Sequence, residues 1–201
     1  MEFLTTVEDL EALYGTPGAP SLRKVAGQMT PLYRKWIMAS RLCMFATVGP
    51  EGTDDSPRGD DGPVVLELDP GTLALPDWRG NNRIDSLRNI VRDGRVSLMF
   101  LVPGSNNVVR VNGMAQVTAD PDLLARFEKA GKQPRTVIVI KIREIYSQCA
   151  RALMRARTWT SGDESEGLLS MGDILAEQTA GEEGGQAYDE AWAPRAAKTM
   201  W

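Results

Sequence analysis

TLALPDWRGNNRIDSLRNIVRDGRVSLMFLV (Thr72–Val102) holds the decision about the fold. The run TLAL (Thr72–Leu75) is apolar and short, as a buried strand is. Ile84, Leu87 and Val91 then recur with a helical spacing and predict a helix over IDSLRNIVRD (Ile84–Asp93) with those three on its buried side. Gly94 stops it, and VSLMFLV (Val96–Val102) is again a strand. Between the first strand and the helix stand Arg79, Asn81, Asn82 and Arg83, more long cationic donors than a surface turn needs.

Outward from this stretch the chain stays mostly β. On the N-terminal side, LCMFATV (Leu42–Val48) reads as a strand closed by the turn GPEG, with SPRGD (Ser56–Asp60) as its antiparallel return. VVLEL (Val64–Leu68) and TLAL form a hairpin across DPG (Asp69–Gly71). On the C-terminal side, VVRVNGMAQVT (Val108–Thr118) and TVIVIKIREIYSQ (Thr136–Gln148) are strands, separated by a helix DLLARFEKA that Asp120-Pro121 caps and Gly131 ends.

Helices gather at the two ends. TVEDLEALY (residues 6–14) is a short helix capped by Thr6, with Leu10, Leu13 and Tyr14 on an apolar face. Thr30-Pro31 opens another, with Leu32, Trp36 and Ser40 on one side. RALMRARTW (Arg151–Trp159) is basic, and Glu164–Tyr188 is acidic with a helix over MGDILAEQ (Met171–Gln178). The Trp-rich end DEAWAPRAAKTMW reads either as a segment that docks on a partner subunit or as a disordered tail. The expected architecture is mainly β with peripheral helices, a small β-barrel. Its parts are N-terminal helices over 1–40, the barrel over 41–160 and a helical extension over 161–201.

Composition narrows the chemistry. The chain has 201 residues, 42% of them hydrophobic and 25% charged, enough for a core without disulfides or metals. It contains no histidine, which removes His-dependent nucleophile triads and His-ligated zinc. Cys43 and Cys149 are too few for a soft-metal site and read as reduced thiols. A net charge of -4 argues against a nucleic-acid partner. No apolar run approaches a membrane span, and Met1–Leu13 reads as no secretory signal, so the cytoplasm is the expected compartment. If the protein is an enzyme, a bound cofactor carries the hard chemistry.

The turn then has a purpose. Unpaired backbone N–H groups and the positive end of the macrodipole make a helix start an anion site. Arg83 stands at that start, Ser86 lies in its first turn, and Arg58 projects from the neighbouring SPRGD strand. Two guanidinium forks suit a phosphate monoester. The alternative leaves Arg79, Arg83 and Arg88 solvated and paired with Asp77, Asp85 and Asp93. Arg79 and Arg88 are read that way, Arg58 and Arg83 as ligands.

The strings ATVGPEGTDDSPRGD, LALPDWRGNNRIDSLRNI, RVSLMFLVPG and VVRVNGMAQV, in this order, resemble the pyridoxamine-5′-phosphate-oxidase-like flavoproteins, in particular their FMN-dependent bacterial branch. The likeness spans roughly residues 30–160. It implies an FMN-binding split β-barrel, a homodimer with the flavin between subunits, and oxidoreductase activity on an unidentified small molecule. It further implies that Arg58 reaches the phosphate and ribityl chain, that Gly59 and Asp60 run beside the ring, and that Leu75, Pro76 and Asp77 meet the ring through backbone groups. Asn82 and Arg83 match the basic pair on the phosphate, with Ser86 nearby. Arg110 matches a further contact, or is a strand-face charge paired with an acid. Trp159 matches a ring neighbour from the other chain, or is an interface or core aromatic. Family oxidases grip their substrate with a C-terminal Arg-x-His, and this chain has no histidine, so the likeness favours FMN over vitamin B6 oxidation. A non-enzymatic flavin carrier, a deazaflavin protein and a haem protein stay open, the last weakened by the missing axial histidine.

Overall fold

Three short helices precede the sheet: α1 (Val7–Tyr14), α2 (Ala19–Arg23) and α3 (Pro31–Ile37). The computed structural model describes residues 1–200; Trp201, the last residue of the Trp-rich end, lies outside the described residues. Thr6 caps α1 by accepting a hydrogen bond from the Asp9 N–H, and Thr30 caps α3 from the Tyr33 N–H, with Pro31 in the first turn. α3 anchors itself through Ile37 and Ser40, both fully buried, while Leu32, expected on the packed side, points to solvent. The seven-residue helix turns its Ile37 face to the barrel, and Leu32 lies off that face.

Strand β1 (Leu42–Gly49) alternates, with Cys43, Phe45 and Thr47 inward. β2 (Gly52–Gly59) starts at the turn itself, four residues earlier than SPRGD suggests. Thr53 pairs with Val48 and Asp55 with Ala46, so ladder bonding to β1 overrides the poor strand propensity of the aspartates. β3 (Leu66–Asp69) begins later than expected, because the Val64 N–H donates to the Ser40 carbonyl and draws the segment toward α3. β4 (Thr72–Asp77) completes the hairpin.

α4 (Asp85–Arg92) follows the cationic turn. Its buried side is Ser86, Asn89 and Ile90, and Ile84 and Val91 are exposed, contrary to the periodicity of the apolar residues. Leu87 packs against the core as expected, and polar partners inside the fold turn the rest of the face: Asn89 Nδ2 donates to Thr47 Oγ1 (3.1 Å) and the Ser86 hydroxyl donates to Asp54. Gly49 permits this approach, since a Cβ there would lie 2.2 Å from Asn89 Oδ1.

β5 (Arg95–Leu101), β6 (Val108–Thr118), α5 (Pro121–Ala125) and β7 (Thr136–Gln148) follow. α5 is a single turn long, shorter than DLLARFEKA suggests, and the chain beyond it forms a small Lys129–Lys132 bridge. A bulge at Asn112/Gly113 bends β6, and only glycine fits there, because a Cβ would lie 2.3 Å from the Lys141 carbonyl oxygen. α6 (Arg151–Arg155), α7 (Met171–Gln178) and α8 (Gly185–Thr199) finish the chain, the Trp-rich end being helical as far as it is described.

The strands form one sheet in the order β2-β1-β5-β6-β7-β4-β3, every neighbour antiparallel. β2 and β4 are five strand steps apart, roughly 24 Å if the sheet were flat. Yet Arg58 of β2 touches Asp77 of β4 at 2.7 Å. The sheet therefore curls until its ends approach, closing around Phe45, Leu98, Phe100, Val111, Leu73 and Ile140. This is a barrel with a gap, and α4 sits beside the gap.

Candidate functional site

Arg58 organises the gap. Its guanidinium donates to Asp77 Oδ1 (2.7 Å), to Ser86 Oγ (3.4 Å) and, through Nε, to Ser56 Oγ (3.2 Å). Its Cζ lies 5.6 Å from the centre of the Phe45 ring. β2, β4 and α4 are thereby tied at one cation. The Ser86 hydroxyl donates in turn to Asp54, so a chain of hydrogen bonds runs from Arg58 through Ser86 to Asp54.

The turn before α4 is held open by backbone conformation. Asn82 has φ 64° and Ile84 φ 57°, both left-handed. A β-branched residue is unfavourable there, and such outliers gather at ligand sites. Ile84 is the N-cap and provides no side-chain cap, so the first N–H groups of α4 lack a side-chain acceptor. Asn81 Oδ1 accepts from the Arg83 N–H, and Asn82 Oδ1 accepts from Arg135 of the loop before β7 (3.0 Å).

The expected residues fall into adjoining depressions. Arg58, Asp77, Asn82, Arg83 and Ser86 line a cleft of about 590 Å³, within the usual range for small-molecule sites. Gly59, Leu75 and Pro76, again with Arg58, line a neighbouring hollow of about 210 Å³. Asp60 joins Gly59 and Trp78 in a third. There the Trp78 indole N–H donates to Asp60 (3.3 Å), and Lys129 bonds Asp60 and Asp61. Burial works against the Lys129 ammonium, but its bonds to Asp60 and Asp61 outweigh this and raise its pKa.

Arg83 is not buried: it is 76% exposed and its Nε donates to Asp85 at 2.8 Å. It thus makes one of the pairings expected of a solvated turn arginine while also lining the cleft. Asp77 and Asp93 are instead paired with Arg58 and Arg95. Arg79 and Arg88 have no ion pair among the described residues.

Arg110 and Trp159 stand apart from these depressions. Arg110 lies over Tyr146 (5.4 Å) and reaches Gln148 Oε1 (3.5 Å), so it does not pair with an acid, and its Nε is buried with no partner. Trp159 donates its indole N–H to the Ser105 carbonyl (2.8 Å) in the β5–β6 turn.

Asp54, Arg135 and Thr136 also line the main cleft, and sequence reasoning missed them. Asp54 carried one signal, its place two strand positions from Ser56 and four from Arg58 on the same face of β2. Arg135 and Thr136 reach the cleft because β7 pairs with β4, Thr136 opposite Asp77, which no local pattern announces.

The donors fit a phosphate group. Four guanidinium groups (Arg58, Arg79, Arg83, Arg135) and three carboxylates (Asp54, Asp77, Asp85) line the cleft, with Arg58 held by Asp77 and Arg83 by Asp85. Among the described residues no group of three or more His, Cys, Asp or Glu could hold a metal ion.

A family model described as pyridoxamine 5′-phosphate oxidase matches residues 29–149, more than half of the chain. The chain belongs to the pyridoxamine 5′-phosphate oxidase family, and its curled antiparallel sheet is a split β-barrel. No curated protein matches it. Similar solved structures include HupZ of Group A Streptococcus (21% identity, 59% of this chain and 93% of that one, TM-score 0.48). General Stress Protein 26 of Bacillus anthracis is 17% identical over 57% of this chain and 88% of that one, with a TM-score of 0.44. A FAD-binding protein of Mesorhizobium loti is 17% identical over 61% and 94%, with a TM-score of 0.41. No helix of the described residues is long and apolar enough to cross a membrane.

Proposed function

We propose that this protein binds FMN in the gap of its barrel and works, as a homodimer, as an FMN-dependent oxidoreductase. The observation that carries the reading is the largely buried Arg58, joined to Asp77 and Ser86 at the mouth of a cleft beside the start of α4. Family membership adds weight, since the family is named for an oxidase acting on a phosphate ester.

Arg58, Ser86 and the first N–H groups of α4 would hold the phosphate, with Arg83 and Asn82 at its outer rim. Leu75, Pro76, Asp77 and Gly59 would border the ring. When bound, the flavin supplies hydride chemistry that no side chain in the cleft offers. The residues themselves orient and desolvate. Asp77 fixes the Arg58 fork, Ser86 donates its hydroxyl hydrogen bond to Asp54 and so turns its lone pairs to Arg58, and Pro76 and Leu75, both buried, keep water from that wall. The same reading puts the protein in the cytoplasm, and its two free cysteines are compatible with a reducing compartment.

The test is direct. The purified protein is examined by absorbance, its cofactor is released by heat, and the released mass is measured. A yellow protein releasing FMN, bleached on addition of NADH or NADPH, is the expected result. A deazaflavin or haem in its place, or no affinity for added FMN, overturns the reading.

A further inference from the structure

We infer that α1 is a docking arm whose apolar face lies against the basic α6 segment of a second copy of this chain. Residues 1–25 are exposed throughout, and the chain first meets the rest of the fold at Lys24, whose carbonyl accepts from the Tyr33 hydroxyl and whose ammonium lies over Tyr146, and at Ala26, which exchanges backbone hydrogen bonds with Ile145. Within this stretch α1 is nonetheless a finished helix, capped by Thr6 at one end and by Gly15 at φ 68° at the other. Phe3, Leu4, Val7, Leu10, Leu13 and Tyr14 are between 44% and 80% exposed. Val7, Leu10, Leu13 and Tyr14 follow helical spacing and share one side. A contiguous apolar row of this size on a formed helix marks an interaction surface.

Charge selects the occupant. Met1–Tyr14 contains Glu2, Glu8, Asp9 and Glu11 and no lysine or arginine. Its complement must be basic, with an exposed apolar side chain among the cations. α6 meets this: Arg151 and Arg155, one turn apart, have no ion pair among the described residues, and Met154 between them is 60% exposed. The other cationic helices offer less. On α3, Arg34 is taken by Glu67, which leaves Lys35 alone; on α4, Arg92 is taken by Glu51, which leaves Arg88 alone; on α8, Arg195 lies over Tyr188, and Asp189 and Glu190 set negative charge on the same helix. The exposed side of α7, with Leu168, Leu169 and Met171 nearby, carries Asp173 and Glu177 and would repel the arm. The loop Gly15–Gly18, with two glycines and Pro17, lets the arm leave its own barrel. The inference rests on the dimer proposed above and not on the flavin.

Reciprocal charge variants test it on the full chain. Glu8→Arg/Glu11→Arg makes the arm basic, and Arg151→Glu/Arg155→Glu makes α6 acidic. In a two-fold dimer each variant alone sets like charges against each other at both contacts, and each homodimer should dissociate about ten- to a hundred-fold more readily. Mixing the two variants restores opposite charges at both contacts. The mixed dimer should then dominate native mass spectra and dissociate like the wild type. Unchanged dissociation of either variant overturns the inference, and so does a mixture that stays statistical, which is the outcome if the arm folds back on its own α6. A wild type that sediments as a monomer at micromolar concentration removes the dimer and the arm contact together, leaving the flavin reading to its own test.

Discussion

Arg58 Nη1 and Asp77 Oδ1 lie 2.7 Å apart, and this one contact joins strands that stand five steps apart in the sheet order. Both side chains are about four-fifths buried, with 21% and 20% of their surface exposed. The pair is therefore both a clasp on the barrel and, in the reading offered above, the anchor of an anion site.

Arg58→Ala should weaken FMN binding by roughly ten- to a hundred-fold, the effect of losing a charge-assisted hydrogen bond of about 1.5–3 kcal/mol. Arg58→Lys should recover part of it, keeping the charge without the fork. Arg83→Ala should cost less than about five-fold, because an exposed cation contributes at most about 1 kcal/mol. Riboflavin should bind weakly to all three and barely register the changes. Flavin fluorescence titrations read this out, and equal losses for FMN and riboflavin would place Arg58 away from the phosphate.

Ile84→Asn should stabilise the fold. Ile84 is exposed and holds φ 57°, a conformation that asparagine tolerates far better than a β-branched residue. A gain of about 0.5–1 kcal/mol in urea unfolding is expected, with no change in the slope. A loss of stability would mean that the Ile84 side chain has packing partners in the assembled protein.

Gly49→Ala should destabilise by about 1–3 kcal/mol, because its methyl group would enter the space of Asn89. Asn89→Ala alone also destabilises, by stripping Thr47 of its donor. Combined, the two should cost less than their sum, since the second change makes room for the first. A double-mutant cycle by thermal or urea unfolding decides it, and strict additivity would show that α4 does not press on β1 at this point.

The Arg34–Glu67 pair predicts an acid-sensitive contribution to stability. The bond from Arg34, followed by burial in the opposite sense, leaves the Glu67 carboxyl below its ordinary value. A depressed folded-state pKa contributes stability that is present above the unfolded value, about 4.3 for glutamate, and is lost as pH falls through the folded value. Wild type should exceed Glu67→Gln in Tm at pH 7, and the two curves should converge by about pH 3. A gap that persists unchanged in acid would refute the assignment.

The two thiols should differ in reach. Burial pushes the Cys43 thiol up to about 12, while Cys149 is exposed. A thiol reagent at neutral pH should modify one cysteine per native chain, and the second only on unfolding. Peptide mapping should place the fast site at Cys149.

Much of the fold was legible locally. β7 and α7 fall on the residues that alternation and capping mark, and the hairpin turns sit where Gly and Pro place them. Two features misled. Of the apolar residues of α4 only Leu87 faces the core and Ile84 and Val91 do not, because Ser86 and Asn89 find inward partners, Asp54 and Thr47, that lie more than thirty residues away in sequence. β2 begins four residues before SPRGD, because β1 bonds it along its whole length back to the turn. Among the site residues, Arg58 and Ser86 were visible as donors flanking a helix start, and they do meet. Arg135 and Thr136 were invisible because only the β4–β7 pairing carries them to the cleft.

That pairing also orders events in time. β1 with β2 and β3 with β4 are hairpins whose strands are joined by short turns, cheap in loop entropy and quick to form. β4 meets β7 only after Asp77 has found Thr136 across a long span of chain, the kind of distant contact that slows folding. The cleft with Arg135 and Thr136 in its wall does not exist before this closure. A ligand of the cleft therefore binds only the completed barrel, and its presence should slow global unfolding while leaving refolding nearly unaltered.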